Sequence, residues 1–202
     1  DSLQLVKTVI GSNADSEEYF PKAKLIKSVI DRAGNADFSL KKTIDEYFSF
    51  IRDNAPDFER LLKKIKQINK KYQTKKKKQN LMDYNDLLIN WKSLLQQHPE
   101  VRKSLDQRFK YVLVDEFQDT SPIQGDIIRL LSQDISNVLV VGDDSQSIYS
   151  FRGATIDNIF DFKEEFDPKV FKLETNYRST SSILEIANQS IENNEKKFEK
   201  KN

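Results

Sequence analysis

Through the first hundred residues, apolar side chains recur at intervals of three and four, the spacing of one helix face. Leu3, Val6 and Ile10 predict a helix over residues 1–10, ended by Gly11-Ser12-Asn13. Pro21 opens a second helix, where its missing N–H costs nothing; Leu25, Ile26, Val29 and Ile30 share a face and Gly34 is the expected stop. Ser39 is the expected N-cap of a third, with Leu40, Ile44, Tyr47, Phe48 and Ile51 before the break at Asn54-Ala55-Pro56. A fourth begins near Asp57 and carries Phe58, Leu61, Leu62, Ile65, Ile68 and Tyr72 along one side. Asp83 caps a fifth, whose predicted inner face is Leu87, Leu88, Trp91, Leu94 and Leu95.

Beyond Lys110 the pattern changes. Tyr111 to Val114, Asn137 to Val141 and Val170 to Leu173 are short apolar runs without polar alternation. Such runs suit strands buried on both faces of a parallel sheet. Helical patterns lie between and after them, from Pro122 (Ile123, Ile127, Ile128, Leu130, Leu131), over Thr155 to Phe162, and from Ser179 to about Asn194 (Ile183, Leu184, Ala187, Ile191 inside). Strands alternating with helices predict an α/β parallel sheet following an all-helical N-terminal region. Residues 195–202 have no packing face and are expected to be a frayed end, and no internal repeat is visible.

The first strand runs into Asp115, Glu116 and Asp119. Ligands of parallel sheets collect beyond the carboxyl ends of the strands. A carboxylate there can hold Mg²⁺ on a nucleotide phosphate, and its neighbour can orient or deprotonate a water. By themselves these residues fit an ordinary strand and a solvated turn equally well.

Three blocks in order change that balance: YVLVDEFQDT (residues 111–120), VLVVGDDSQSIYSFRGA (138–154) and LETNYRST (173–180). They resemble motifs II, III and IV of the superfamily 1 DNA helicases of the UvrD/Rep/PcrA type. The resemblance is dense from Tyr111 to about Asn188 and traceable upstream. It implies part of a RecA-like parallel sheet of the P-loop NTPase type, with residues 1–80 as helical subdomain 1B, 81–168 as the back of motor domain 1A, and 169–202 as the start of 2A. The implied activity is ATP-dependent 3′→5′ DNA unwinding, with ATP and Mg²⁺ as cofactors and single-stranded DNA and the duplex junction as partner. By position in the motifs, Asp115 would bind Mg²⁺ and Glu116 would activate the attacking water. Gln118 and Asp119 would couple this site to neighbouring motifs. Gln146 would sense the γ-phosphate, Arg178 would reach it across the cleft, and Tyr177 would stack on adenine. Tyr149, Phe151 and Arg152 would face DNA, where stacking is worth about 1–3 kcal/mol per base with little sequence preference, and for Tyr149 the alternative of a packed loop aromatic stays open.

This chain departs from the family's pattern at Phe151, where Trp is common, and at Ser145, where an acid or alanine is usual. Tyr84 and Asn85 replace Phe and Asp of a DFDDLL-like segment; both swaps read as surface variation.

Composition adds further bounds. The net charge of +1 favours no partner, yet residues 60–79 hold ten Lys or Arg and no acid, which leaves about −9 for the rest. That stretch (Arg60, Lys63, Lys64, Lys66, Lys70 and Lys71, then Lys75 to Lys78) is either a solvated face with a loose charged loop or a phosphate-contacting surface. There is no cysteine, hence no disulfide and no thiolate metal site. The lone His98, beside Pro99, reads as structural. No apolar run nears the roughly 18 residues of a membrane span, and no leader pattern opens the chain, so a soluble cytoplasmic protein is expected. No GxxxxGK[ST] phosphate loop and no Gly-Lys pair occurs, and motifs V and VI are missing. The expectation is therefore an interior piece of a helicase, inactive alone. Two rivals stay open: a DNA-binding or helicase-partner module that lost its motor, and a metal-dependent nuclease using Asp115, Glu116 and Asp143.

Overall fold

The computed structural model describes residues 2–11, 20–35, 39–49, 58–133, 137–150 and 153–193. Helices α1 (Ser2–Ile10), α2 (Ala23–Asn35), α3 (Leu40–Tyr47), α4 (Phe58–Lys78), α5 (Tyr84–Gln97) and α6 (Pro99–Arg108) precede strand β1 (Val112–Val114). There follow α7 (Pro122–Ser132), β2 (Val138–Val140), α8 (Asp157–Phe166) and α9 (Ser181–Ile191), with 3-10 turns at Phe117–Asp119 and Asp144–Gln146. The described chain is thus mostly helical around a two-stranded parallel sheet in the register Val112–Val138, Leu113–Leu139 and Val114–Val140.

Local chemistry explains most of the helix ends. Gly11 takes φ +71°, and its N–H closes α1 on Lys7 O at 3.1 Å. Ser39 Oγ accepts the Lys42 N–H at 3.2 Å. Asp83 and Asp86 form a capping box at the start of α5, each side chain accepting the other residue's backbone N–H. Pro99 begins α6, a helix the apolar pattern did not announce because it buries no residue. His98 lies between α5 and α6 with Nδ1 2.8 Å from Glu100 Oε1.

The N-terminal helices close on one apolar cluster: Val6 of α1, Ile26, Val29 and Ile30 of α2, Ile44 of α3, Phe48, and Phe58, Leu62, Ile65, Ile68 and Tyr72 of α4. Every one of these was expected on a helix face; the third helix's Ile51, the 54–56 break and the tail 195–202 lie outside the described residues. Leu95 of α5, Phe117, Ile123 and Ile127 of α7 and Phe162 of α8 are buried beyond that cluster. Phe162 meets Phe117 edge-on, with centroids 5.6 Å apart at 79°.

Several expectations are corrected. Gly34 is the penultimate residue of α2, one position from its end at Asn35, and faces the Asn85 side chain. Asn85 is not surface variation, since its Nδ2 donates to Asp31 O and Oδ1, at 3.3 and 2.9 Å, and joins α5 to α2. Lys75 to Lys78 do not form a loose loop but continue α4 through Lys78. Lys76 is buried, donating to Asp83 Oδ2 at 2.9 Å and Asp86 Oδ2 at 2.6 Å, while Tyr72 Oη donates to Asp83 Oδ2 at 2.7 Å. A basic run therefore contains one lysine whose charge is spent inside the protein. Burial alone would push the Asp83 carboxyl up, but Lys76, Tyr72 and the Asp86 amide overcome it and bring it down to about 2. Burial and the Asp83 carboxylate push the Tyr72 hydroxyl up.

The remaining corrections share one cause. Leu113 is 71% and Leu139 51% exposed, so the two strands have an open face rather than two buried ones. Leu87, Trp91 and Leu94 of α5 are also exposed, and α9 has no buried residue. Val170 to Leu173 form no strand. Apolar runs record a need for cover, and a strand needs a neighbour for its N–H and C=O groups. Among the described residues no element supplies that cover or that neighbour.

Candidate active site

Parallel pairing of β1 and β2 brings the ends of two predicted motifs side by side. Val141 N donates to Val114 O at 2.8 Å, and one step further Phe117 N donates to Val141 O at 2.9 Å. The acids thus leave β1 directly beside the Gly142-Asp143 end of β2. Asp115 and Glu116 are both exposed there. Asp115 Oδ1 accepts the Glu116 N–H at 2.9 Å. Glu116 has a left-handed backbone, φ 49° and ψ 45°, which costs a non-glycine residue about 1–2 kcal/mol. The following 3-10 turn holds it, with Asp119 N on Glu116 O at 2.9 Å and Phe117 packed beneath.

Gln118 is buried and spans both motifs. Its Nε2 donates to Glu116 Oε2 at 2.7 Å, and its Oε1 accepts the Asp143 N–H at 3.0 Å. Asp143 in turn accepts Ser145 N on Oδ1 at 3.0 Å and Gln146 Nε2 on Oδ2 at 2.9 Å. A continuous hydrogen-bonded path therefore runs Glu116, Gln118, Asp143, Gln146. Each Asp143 carboxylate oxygen thus accepts one hydrogen bond, and among the described residues Asp115, Glu116 and Asp143 do not form a group of three that could hold a metal ion.

Four of the expected site residues, Asp115, Glu116, Gln118 and Gln146, are thus brought together. Asp119 and Tyr149 sit on the other side of the turn and line one cavity of about 360 Å³; Asp119 Oδ1 is buried there with no hydrogen-bond partner. Tyr149 is 37% exposed. Phe151 and Arg152 lie outside the described residues. Tyr177 and Arg178 are not brought to the acids. Tyr177 is 94% exposed, and the local turn is set by Asn176 Oδ1, which accepts the N–H groups of Arg178 and Ser179 at 2.8 and 2.9 Å.

Two residues important to this geometry were not singled out from sequence. Gly142 is one: a Cβ there would lie 2.7 Å from Gln118 Oε1. Asn158 of α8 is the other, buried against Thr120 and Ser121. A glycine after a strand is a visible signal, whereas a buried asparagine on a helix leaves none.

Asp115 and Glu116 supply hard, open oxygen donors of the kind Mg²⁺ takes, so the donor set fits a magnesium-bound nucleotide. Among the described residues, no cluster of three or more acidic, His or Cys side chains forms a closed cage for a metal ion, and no helix is long and apolar enough to cross a membrane.

Comparison with known proteins agrees with the motifs. Residues 1–167 match the model of the UvrD/REP helicase N-terminal domain. The chain is 37% identical over 194 residues to DNA helicase II of Haemophilus influenzae, covering 96% of this chain and 25% of that protein. It is 34% identical over 196 residues to the ATP-dependent DNA helicase PcrA of Staphylococcus epidermidis (96% and 25%), and 36% over 188 residues to the ATP-dependent DNA helicase srs2 of Schizosaccharomyces pombe (93% and 20%). The chain spans between a fifth and a quarter of the length of these relatives. With most of its length inside that one domain model, the chain belongs to the UvrD/REP helicase family.

Proposed function

We propose that this chain is part of an ATP-dependent DNA helicase that moves 3′→5′ on single-stranded DNA and opens the duplex at the junction. Residues 1–80 correspond to subdomain 1B, 81–168 to the back of a RecA-like motor domain 1A, and 169–202 to the start of 2A. The observation that carries this reading is the path from Glu116 through Gln118 and Asp143 to Gln146, which joins a carboxylate suited to proton abstraction to a side chain suited to a phosphate oxygen. The names of the relatives, ATP-dependent DNA helicases, support the same assignment.

Bound Mg²⁺ would neutralise phosphate charge and align the leaving group. In this reading Asp115 holds the metal and Glu116, fixed by Gln118, orients the attacking water and takes its proton. Gln146 donates to the terminal phosphate, and Tyr177 stacks on adenine. Arg178, open to solvent in the present arrangement, closes onto the transferred phosphoryl group; a cation in that role is worth about 10³–10⁵ in rate. Tyr149, Phe151 and Arg152 meet the DNA. Having Gln146 and Tyr149 three residues apart lets a shift sensed at phosphate move a base-stacking ring. These 202 residues contain no phosphate loop, so alone they do not turn over ATP.

The test is the complete helicase carrying this chain, assayed for ATP hydrolysis and for unwinding of duplexes with 3′ or 5′ tails. Glu116→Gln should abolish both activities and leave nucleotide binding intact. Hydrolysis that survives Glu116→Gln, or unwinding only from 5′ tails, would overturn the assignment.

A further inference from the structure

The loop between β2 and α8 leaves the acidic turn and comes back to it. At its start Asp143 N is held by Gln118 Oε1, and Ser147 Oγ reaches Gln118 O at 3.4 Å. At its end Thr155 N donates to Thr120 O at 3.1 Å. Just beyond, Asn158 is only 2% exposed, and its Nδ2 faces three oxygens: Thr120 O at 3.0 Å, Thr120 Oγ1 at 2.9 Å and Ser121 O at 3.1 Å. The space is made by Gly125, where a Cβ would stand 2.6 Å from Asn158 Oδ1. Both ends of the Tyr149-bearing loop are therefore anchored on one short turn, residues 118–121.

The two anchors differ in kind from the packing around them. Phe162 against Phe117 is an apolar contact that tolerates sliding, and Arg129 of α7 holds α8 through exposed partners, Asp161 at 3.2 Å and Glu165 at 3.1 Å. An amide group shared among three oxygens tolerates neither rotation nor displacement, because a buried donor left unpaired is costly.

We propose that Asn158 is a positioning residue for coupling: it fixes the returning end of the aromatic loop to the acidic turn, so that motion of Glu116 and Gln118 reaches the DNA-facing side chains from both ends. It touches neither nucleotide nor DNA and acts through Thr120 and Ser121. The inference rests on the helicase reading above. Gln118 holds the outgoing end; at the returning end the Asn158 amide fixes Thr120, the residue that accepts the Thr155 N–H, and an end whose acceptor is loose can absorb a displacement without passing it on.

The experiment compares Asn158→Asp, Asn158→Ala and Ile65→Ala in the complete helicase. Aspartate keeps the shape but points an oxygen at three oxygens, alanine deletes the contact, and Ile65→Ala lowers stability from within the separate helical cluster. ATP turnover is read with and without single-stranded DNA, together with thermal unfolding and hydrogen exchange at the Thr155 amide. Both Asn158 variants should keep DNA-independent turnover within about twofold and lose DNA stimulation by roughly tenfold or more, with faster exchange at Thr155. Ile65→Ala should keep its stimulation at equal or greater loss of thermal stability. Stimulation in the Asn158 variants matching that of Ile65→Ala would overturn the proposal while the helicase reading stood. A wild-type protein without DNA-stimulated turnover would sink both.

Discussion

Gly142 and Gln118 are mutually dependent: the side chain of one occupies the space the other leaves empty. A Cβ on residue 142 would lie 2.7 Å from Gln118 Oε1, 3.2 Å from Ile159 Cδ1 and 3.4 Å from Gln118 N. The neighbours are a buried amide and a backbone atom, which have little room to yield. Gly142→Ala should therefore expel Gln118 from its position, releasing Glu116 and the Asp143 amide together. Overpacking of this kind costs about 1–3 kcal/mol in stability. In the complete helicase, displacement of Glu116 by an ångström should lower ATP turnover by roughly a hundredfold. Steady-state kinetics with kcat and KM separated checks it; a fall in KM alone would contradict this account.

Lys76 should behave unlike every other lysine of its run. It is 4% exposed and pairs with two carboxylates, Asp83 and Asp86. Lys76→Met leaves those charges buried without a cation and should destabilise the protein by about 3–5 kcal/mol. Lys77→Ala, at an exposed position of the same helix, should change stability by less than about 0.5 kcal/mol. Urea unfolding of the two variants separates them directly.

Acid should attack the same cluster. The Asp83 carboxyl, ordinarily near 3.8, is held down to about 2 in the folded protein. A depressed carboxylate stabilises the fold above its unfolded value and loses that contribution as pH falls through the folded one. The loss amounts to about 2 kcal/mol between pH 4 and pH 2. Asp31 works in the opposite direction, since burial raises its carboxyl in spite of Lys27. Stability measured against pH should fall across this window in the wild type and lose most of that slope in Asp83→Asn.

The exposed part of α4 offers a different test. Lys66 and Lys70 are exposed and lie one turn apart on α4, flanking the buried row of Leu62, Ile65 and Ile68. If they meet DNA phosphates, each replacement by alanine should reduce the slope of log affinity against log salt by about 0.7 on single strands. Fluorescence anisotropy over a salt series measures it. An unchanged slope in the double variant would assign this face to solvent.

Much of this architecture was legible along the chain because its causes are local. Helix spacing, Ser39, Gly11 and the Asp83 capping box depend on neighbours within a few residues, so their effects appear in the pattern itself. The two strands and the acids after the first were equally visible, since an apolar run and an abrupt change to charge are sequential facts. Cover was not visible. Leu113, Trp91 and the inner positions of α9 have the pattern of buried residues, yet burial depends on which surfaces meet them, and among the described residues none covers them.

The sequence by itself determined the family, the helices that bury an apolar face and the identity of the acids, because short motifs and periodicity are properties of adjacent residues. Tertiary structure alone decided which of ten basic residues turns inward, that Asn85 serves Asp31, and that Gln118 rather than Asp119 links Glu116 to Asp143. It also decided that Asn158 returns the aromatic loop to the acidic turn from 37 and 38 residues away. Such contacts are set by how helices and strands close on one another in space, and a buried hydrogen bond holds only where that closure brings donor to acceptor.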